Sequence, residues 1–178
     1  MPDNCDINLG RLEPCKDSVG GIIAVYFSNY TTGLLDSATI SADGEITAFA
    51  SPLTFYKYDL KGANSFEQTN ENSRENGTSF WTQTGTVVLK KQDVATTAQM
   101  KLLSYGRPQV IVQDYNGNYF LAGTENGVEC APSTATGAAM GDLNGYNLTM
   151  TGTEKSPANF VDSAIIGDTV NTVVVLGV

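Results

Sequence analysis

The chain has no histidine, and among its 178 residues only three are cysteine, one is tryptophan and ten are lysine or arginine. Each scarcity removes a class of function. Without an imidazole there is no Ser-His-Asp or Cys-His proton relay, and no Cys–His zinc geometry. Cys5, Cys15 and Cys130 are odd in number and irregularly spaced, so they are not a disulfide framework. Cys5 and Cys15 are near enough in sequence to pair, but unpaired small residues are the simpler reading. The only adjacent basic pair inside a strand-like stretch is Lys90-Lys91, and no basic cluster of the kind that holds a polyanion is present. Apolar runs fall far short of the roughly 20 residues that span a bilayer, and the polar start Met1-Pro2-Asp3-Asn4-Cys5 does not resemble a signal peptide. The expectation is a protein made in the cytosol and not embedded in a membrane.

What is present points to strands. Hydrophobic residues make up 41 % and charged residues only 16 %, with 18 glycines and abundant Thr, Asn and Ser. Threonine fills strands, while Gly and Asn supply turns. Nineteen acidic residues against ten basic ones give a net charge of -9. Such a surface suits a protein that nucleic acid passes without adhering to it.

The chain reads as one domain over residues 1–178, with an irregular N-terminal arm at 1–19. The run Gly20–Phe27 is continuously apolar, as expected of a strand buried on both faces. Residues 28–44 read as loop, followed by a short strand near Glu45–Ala50. In Leu53–Lys61 the residues Leu53, Phe55, Lys57 and Asp59 share one face, and Thr54, Tyr56, Tyr58 and Leu60 the other. A long extended hairpin is expected over about 64–91, turning at Asn76-Gly77 as a two-residue loop. It is polar and has too few apolar residues to stabilise itself, so neighbouring chains are expected to supply its partners. Asp93–Tyr105 is the expected helix, capped by Asp93, with Val94, Ala98, Leu102 and Tyr105 as its apolar stripe and Gly106 as its stop. A hairpin through Asn116-Gly117, a strand at Val128–Ala131, a small-residue loop at 132–142 and an alternating strand at Asn144–Glu154 follow. Residues 156–178 form a C-terminal extension ending in a strand.

Few residues offer chemistry. Glu67, Glu71 and Glu75 recur every fourth position, most simply as a solvated acidic face, although carboxylate pairs also serve glycosidases. Asp114-Tyr115-Asn116-Gly117-Asn118 glances at a calcium loop, but Gly stands fourth where the EF-hand places it sixth, and a hairpin turn explains the same residues. Asn29-Tyr30-Thr31, Asn76-Gly77-Thr78 and Asn147-Leu148-Thr149 match the glycosylation pattern by chance. The aromatics Phe55, Tyr56, Tyr58 and Trp81 fit core or interface packing better than stacking on a base or sugar. No catalytic residue, metal ligand or cofactor site is assigned.

The order of elements carries one resemblance. The runs Phe55-Tyr56-Lys57-Tyr58, Asn76-Gly77-Thr78-Ser79-Phe80 and Leu102-Leu103-Ser104-Tyr105-Gly106-Arg107 come first. Asp114-Tyr115-Asn116-Gly117-Asn118-Tyr119-Phe120-Leu121 and Met140-Gly141-Asp142-Leu143-Asn144-Gly145-Tyr146 follow. Together they resemble, over roughly residues 53–155, tail-tube-like virion proteins of tailed bacteriophages, including crAss-like phages and others infecting Bacteroidetes. The resemblance implies a mainly β fold, a tail-tube-like sandwich or barrel with one flanking helix at about 93–105. It further implies a virion protein that forms a homo-oligomeric ring, usually of six subunits, beside other tail or connector proteins. The long hairpins would join into an inner barrel, with Glu67, Glu71 and Glu75 facing a lumen through which DNA passes. The alternatives are another virion component, such as a tail terminator, head-fibre or capsid decoration protein, or a carbohydrate-binding β-sandwich.

Overall fold

A computed structural model of the chain describes residues 7–177. Cys5, and with it the question of a Cys5–Cys15 pair, lies outside the described residues. The protein is mainly β, as its composition indicates, and its strands form two sheets.

The larger sheet is built on β1 (Ile22–Ser28), β4 (Leu53–Asp59), β7 (Gln109–Asp114) and β8 (Tyr119–Ala122). It is completed by β2 (Thr39–Ile40), β3 (Ile46–Ala48), β11 (Asn159–Val161) and β12 (Thr172–Leu176), in the order β12-β4-β1-β7-β8-β11-β3-β2. Pairing is antiparallel except where β12 joins β4 and β11 joins β3. Strands β1 and β7 are apolar on both faces because both faces are covered. On one side Ala24, Tyr26, Phe55, Ile111 and Leu121 pack beneath Leu34, Phe49 and Ile165. These come from the helix α1 (Leu34–Ser37), the loop before β4, and a 3-10 turn at Ser163–Ile165. The sequence reading of 28–44 as loop missed α1 and β2, which are four and two residues long and lack a periodic signal of their own.

On the other side Val25, Phe27, Val110 and Val112 meet Val87, Tyr146, Leu148 and Met150 of the second sheet. That sheet has the order β5-β6-β10-β9 and is antiparallel throughout. Its members are β5 (Ser65–Ser73), β6 (Thr78–Lys90), β9 (Glu129–Ala135) and β10 (Gly145–Glu154). Strand β10 alternates buried and exposed residues from Leu148 to Glu154, as its sequence pattern requires. Residues 132–135 continue β9 rather than forming loop; Pro132 is tolerated because β9 is an edge strand, with no strand beyond it among the described residues to need its missing N–H.

Helix α2 (Val94–Tyr105) begins where expected. Asp93 caps it, accepting from the Thr96 amide at 2.7 Å and the Thr96 hydroxyl at 2.6 Å, and these bonds hold its carboxyl below the usual range. The buried Tyr146 hydroxyl donates to the Asp93 carbonyl at 2.9 Å and accepts from the Asp93 amide at 3.1 Å, locking β10 to the helix start. The face that packs, however, is the reverse of the one the spacing predicts. Met100 is buried and Leu103 packs beside it, while Val94 is 90 %, Leu102 60 % and Tyr105 75 % exposed. Thr96, Met100 and Leu103 are also at helical spacing, and Met100 fills the gap between the sheets that a shorter branched residue would not reach. The Val94–Ala98–Leu102–Tyr105 stripe is left facing solvent.

Candidate functional site

The hairpin of β5 and β6 divides into two parts. Its base is held within the chain, since β6 pairs with β10 from Lys90 back to Trp81. The expectation that the whole hairpin lacks partners is corrected there: β10 supplies them. Strand β5 and the tip are different. Only Phe66 of β5 packs toward the core, and Ser73 pairs with Thr78 around a four-residue loop, Arg74-Glu75-Asn76-Gly77, instead of the expected two-residue turn. The tip is fastened by polar contacts. Gln68 accepts from the buried Ala158 amide at 2.7 Å, and Asn70 donates to Ser79 Oγ and the Phe80 carbonyl, each at 3.1 Å.

Directly opposed residues share a face, so the register fixes what the outer side of the four-stranded sheet presents. Phe66, Gly85 and Met150 form one inward row. The alternate rows therefore face out: Ser65–Thr86–Thr149–Ala131, Glu67–Thr84–Thr151–Glu129, Thr69–Thr82–Thr153 and Glu71–Phe80. Six threonines from Thr82-Gln83-Thr84-Gly85-Thr86 and Thr149-Met150-Thr151-Gly152-Thr153 stand opposite one another in three pairs. Their spacing is about 4.8 Å across the strands and about 6.8 Å along them. Glycine at Gly85 clears the inward side: a Cβ there would lie 2.5 Å from Met150 Cε and 3.7 Å from the Phe66 ring.

Of the three glutamates singled out by spacing, Glu67 and Glu71 lie on this face and are exposed, while Glu75 lies in the tip loop. Glu71 accepts from the Thr82 hydroxyl at 2.9 Å. Glu129 was missed, yet it completes the Glu67 row from the far edge. The signal that would have found it is the repeated Thr-x-Thr-Gly-Thr pattern, which marks β6 and β10 as neighbours with matched outward faces. Glu67 is four residues from Glu71 and three strands from Glu129, about 14 Å in each direction. That separation exceeds the Debye length at ordinary salt, so the charges are largely screened from one another. It also exceeds the spacing of a glycosidase carboxylate pair, up to about 9.5 Å. Among the described residues, cations stand at the margins of this face: Arg74 in the tip loop, Lys90 at the opposite end of β6, and Lys155 just past the end of β10, where it pairs with Glu125 at 3.3 Å. The face is acidic, hydroxyl-rich and without a positive centre.

Among the described residues neither long edge of the sheet is paired with a further strand, although α2 packs against β9 and Gln92 Nε2 donates to the Ala135 carbonyl at 2.8 Å. Beyond β6 and β10 respectively, β5 and β9 pair with no further strand among the described residues. Because the four strands alternate in direction, β5 and β9 run antiparallel to one another.

Elsewhere the buried side-chain polar atoms of the described residues are internally satisfied, except Asn159 Oδ1, which has no hydrogen-bond partner. Asp114 accepts from the amides of Asn116 and Asn118 at 2.9 and 2.7 Å, and from Asn118 Nδ2 at 3.0 Å. Burial opposes ionisation at Asp114, but these bonds outweigh it and its carboxyl titrates below the usual range. The same carboxylate that suggested a calcium loop thus ties the β7–β8 turn. Among the described residues, no group of three or more potential metal ligands is gathered. Glu154, 2 % exposed, accepts from the amides of Glu125 and Asn126 at 3.0 Å each; burial nonetheless pushes its carboxyl up. The four aromatics do not form one surface: Phe55 is core, Tyr56 and Tyr58 border a groove beside α2, and Trp81 stands near the hairpin tip. No helix among the described residues is long and apolar enough to cross a membrane. No family model, curated protein or solved structure matches the chain.

Proposed function

We propose that this chain is a structural subunit of a phage tail tube or tail ring, which assembles edge to edge and lines a conduit for DNA. The observation that carries the reading is the four-stranded sheet, with two edge strands of opposite direction that pair with no further strand among the described residues, and an outward face of threonine and glutamate. An even number of alternating strands lets β5 of one copy meet β9 of the next as an antiparallel pair. Repetition of that head-to-tail contact gives a ring if the rotation closes. Closure also removes both free edges, which would otherwise template aggregation.

Six copies, the number implied by the tail-tube resemblance, contribute 24 strands. At about 4.8 Å per strand the backbone ring is about 37 Å across before strand tilt widens it, wider than porin barrels of 16–18 strands that already hold a water channel. With the outer face turned inward, Glu67, Glu71 and Glu129 border the lumen and α2 lies on the far side of the sheet. Neutralising phosphates with Lys and Arg is what binds duplex DNA through counterion release, and this face offers carboxylates instead. Glu75 belongs to the tip loop and borders the rim.

Negative-stain electron microscopy of concentrated protein tests the proposal. Rings with an open centre are expected, and they should not shift duplex DNA in a gel at physiological salt. A stable monomer that binds glycans on an array, or rings that retain DNA tightly, would overturn it.

A further inference from the structure

The N-terminal arm and the groove beside α2 are both unsatisfied in the single chain. Arm residues Ile7, Leu9 and Leu12 are 93 %, 84 % and 92 % exposed, three large aliphatic side chains within six residues. The arm is rooted, since Val19 exchanges two bonds with the Asn116 side chain: its amide donates to Oδ1 at 3.0 Å and its carbonyl accepts from Nδ2 at 2.8 Å. Beyond that root, an extended arm from Ile7 to Val19 reaches about 40 Å.

The groove runs between α2 and the edge of the larger sheet. Two hollows of about 340 and 620 Å³ adjoin at Tyr56, Tyr58 and Gln99, the larger also bordered by Lys57, Asp59, Lys90, Lys91 and Asp93. Leu102 and Leu103 line it from the helix, and Val175 and Leu176 from β12. Tyr56 is 43 %, Val175 40 % and Leu176 70 % exposed. Beside it runs the solvent-facing helix stripe of Val94, Ala98, Leu102 and Tyr105. Strand β12 is itself an edge, paired among the described residues only with β4, so an extended segment can also add to it through backbone bonds.

We infer that the arm of one copy docks in the α2–β12 groove of another, as a second contact separate from the β5–β9 edge. The occupant is a second copy because the isolated chain leaves its own arm in solvent and its own groove empty, whereas assembly fills both at once. Alternation of Ile7 and Leu9 suits an extended segment that presents aliphatic side chains to one wall, and Leu12 follows before Pro14. This inference rests on the reading that the chain self-assembles.

Cysteine cross-linking of the full chain tests it. Copies carrying Leu9→Cys are mixed with differently tagged copies carrying Leu176→Cys, in a Cys5→Ser, Cys15→Ser background, and treated with a short bismaleimide. A cross-link between the two tags is expected, and the triple variant Ile7→Ser/Leu9→Ser/Leu12→Ser should need at least about tenfold more protein to assemble. Because those side chains are exposed, the variant remains folded. If a chain carrying both cysteines links only to itself, the arm closes on its own groove and the inference fails. If rings form without any arm cross-link, the inference fails while the ring reading stands. Absence of both rings and cross-links removes the two together.

Discussion

Deleting residues 68–75 removes the outer two-thirds of β5 and half of the tip loop, and it separates the chain's own stability from its capacity to assemble. None of these eight residues is buried. Trp81, Thr82 and Gln83 of β6 keep their pairing to β10, and Ser65, Phe66 and Glu67 keep theirs to β6. The principal loss is the Gln68 acceptor for the Ala158 amide, which leaves a donor of a buried residue unpaired at a cost of about 1–3 kcal/mol. Exposed bonds such as Thr82 to Glu71 add a few tenths each. A total of about 2–4 kcal/mol lies within the stability of a domain this size and lowers the melting temperature by about 5–15 °C. Circular dichroism should therefore report a folded β protein with a cooperative melt. Sedimentation velocity, at concentrations where the parent assembles, should report a monomer. Assembly indistinguishable from the parent would refute the role given to β5, and a chain that fails to fold would show that the tip belongs to the core.

Other perturbations probe the rest of the molecule. A Cβ on Gly145 would lie 2.0 Å from the Leu89 carbonyl oxygen, so Gly145→Ala must displace backbone; it should cost about 3 kcal/mol in urea denaturation, against less than about 1 kcal/mol for Gly85→Ala, where only the Met150 methyl end needs to turn. Burial pushes the Cys130 thiol up to about 12, so Cys130→Ala should leave the thiol count titrated in the native protein at pH 8 unchanged, and lower it by one only after unfolding. Asp114 has a depressed folded pKa, so its stabilisation is fully present above the unfolded value of about 3.9 and is lost as pH falls through the folded value. Thermal melts of Asp114→Asn should therefore lie below those of the parent at pH 7 and converge with them once the pH falls below the folded value.

The sequence foretold the elements whose pattern is set by burial. The apolar run of β1, the alternation of β10 and the Asp93 cap each follow from a local rule, and each has its expected place. Helix orientation was not legible in the same way. Two apolar rows at helical spacing compete in α2, and the one that packs is chosen by the gap Met100 fills between the sheets. Likewise, Glu67 and Glu71 could be placed on one face by strand periodicity, but Glu75 could not be assigned to the turn until the Ser73–Thr78 closure fixed the loop at four residues. Glu129 joins them only through a register that runs across β6 and β10, information carried by pairing and not by spacing along the chain.

The central claim is that both edges of the four-stranded sheet are used at once by neighbouring copies. Amide hydrogen exchange of the whole chain, compared between dilute and concentrated solution, tests it most directly. The backbone amides of β5 and β9 that point away from β6 and β10 should exchange freely when dilute and become protected together on concentration, over the same range and to a similar degree. If both edges exchange freely at every concentration, or if only one gains protection, the head-to-tail ring is contradicted.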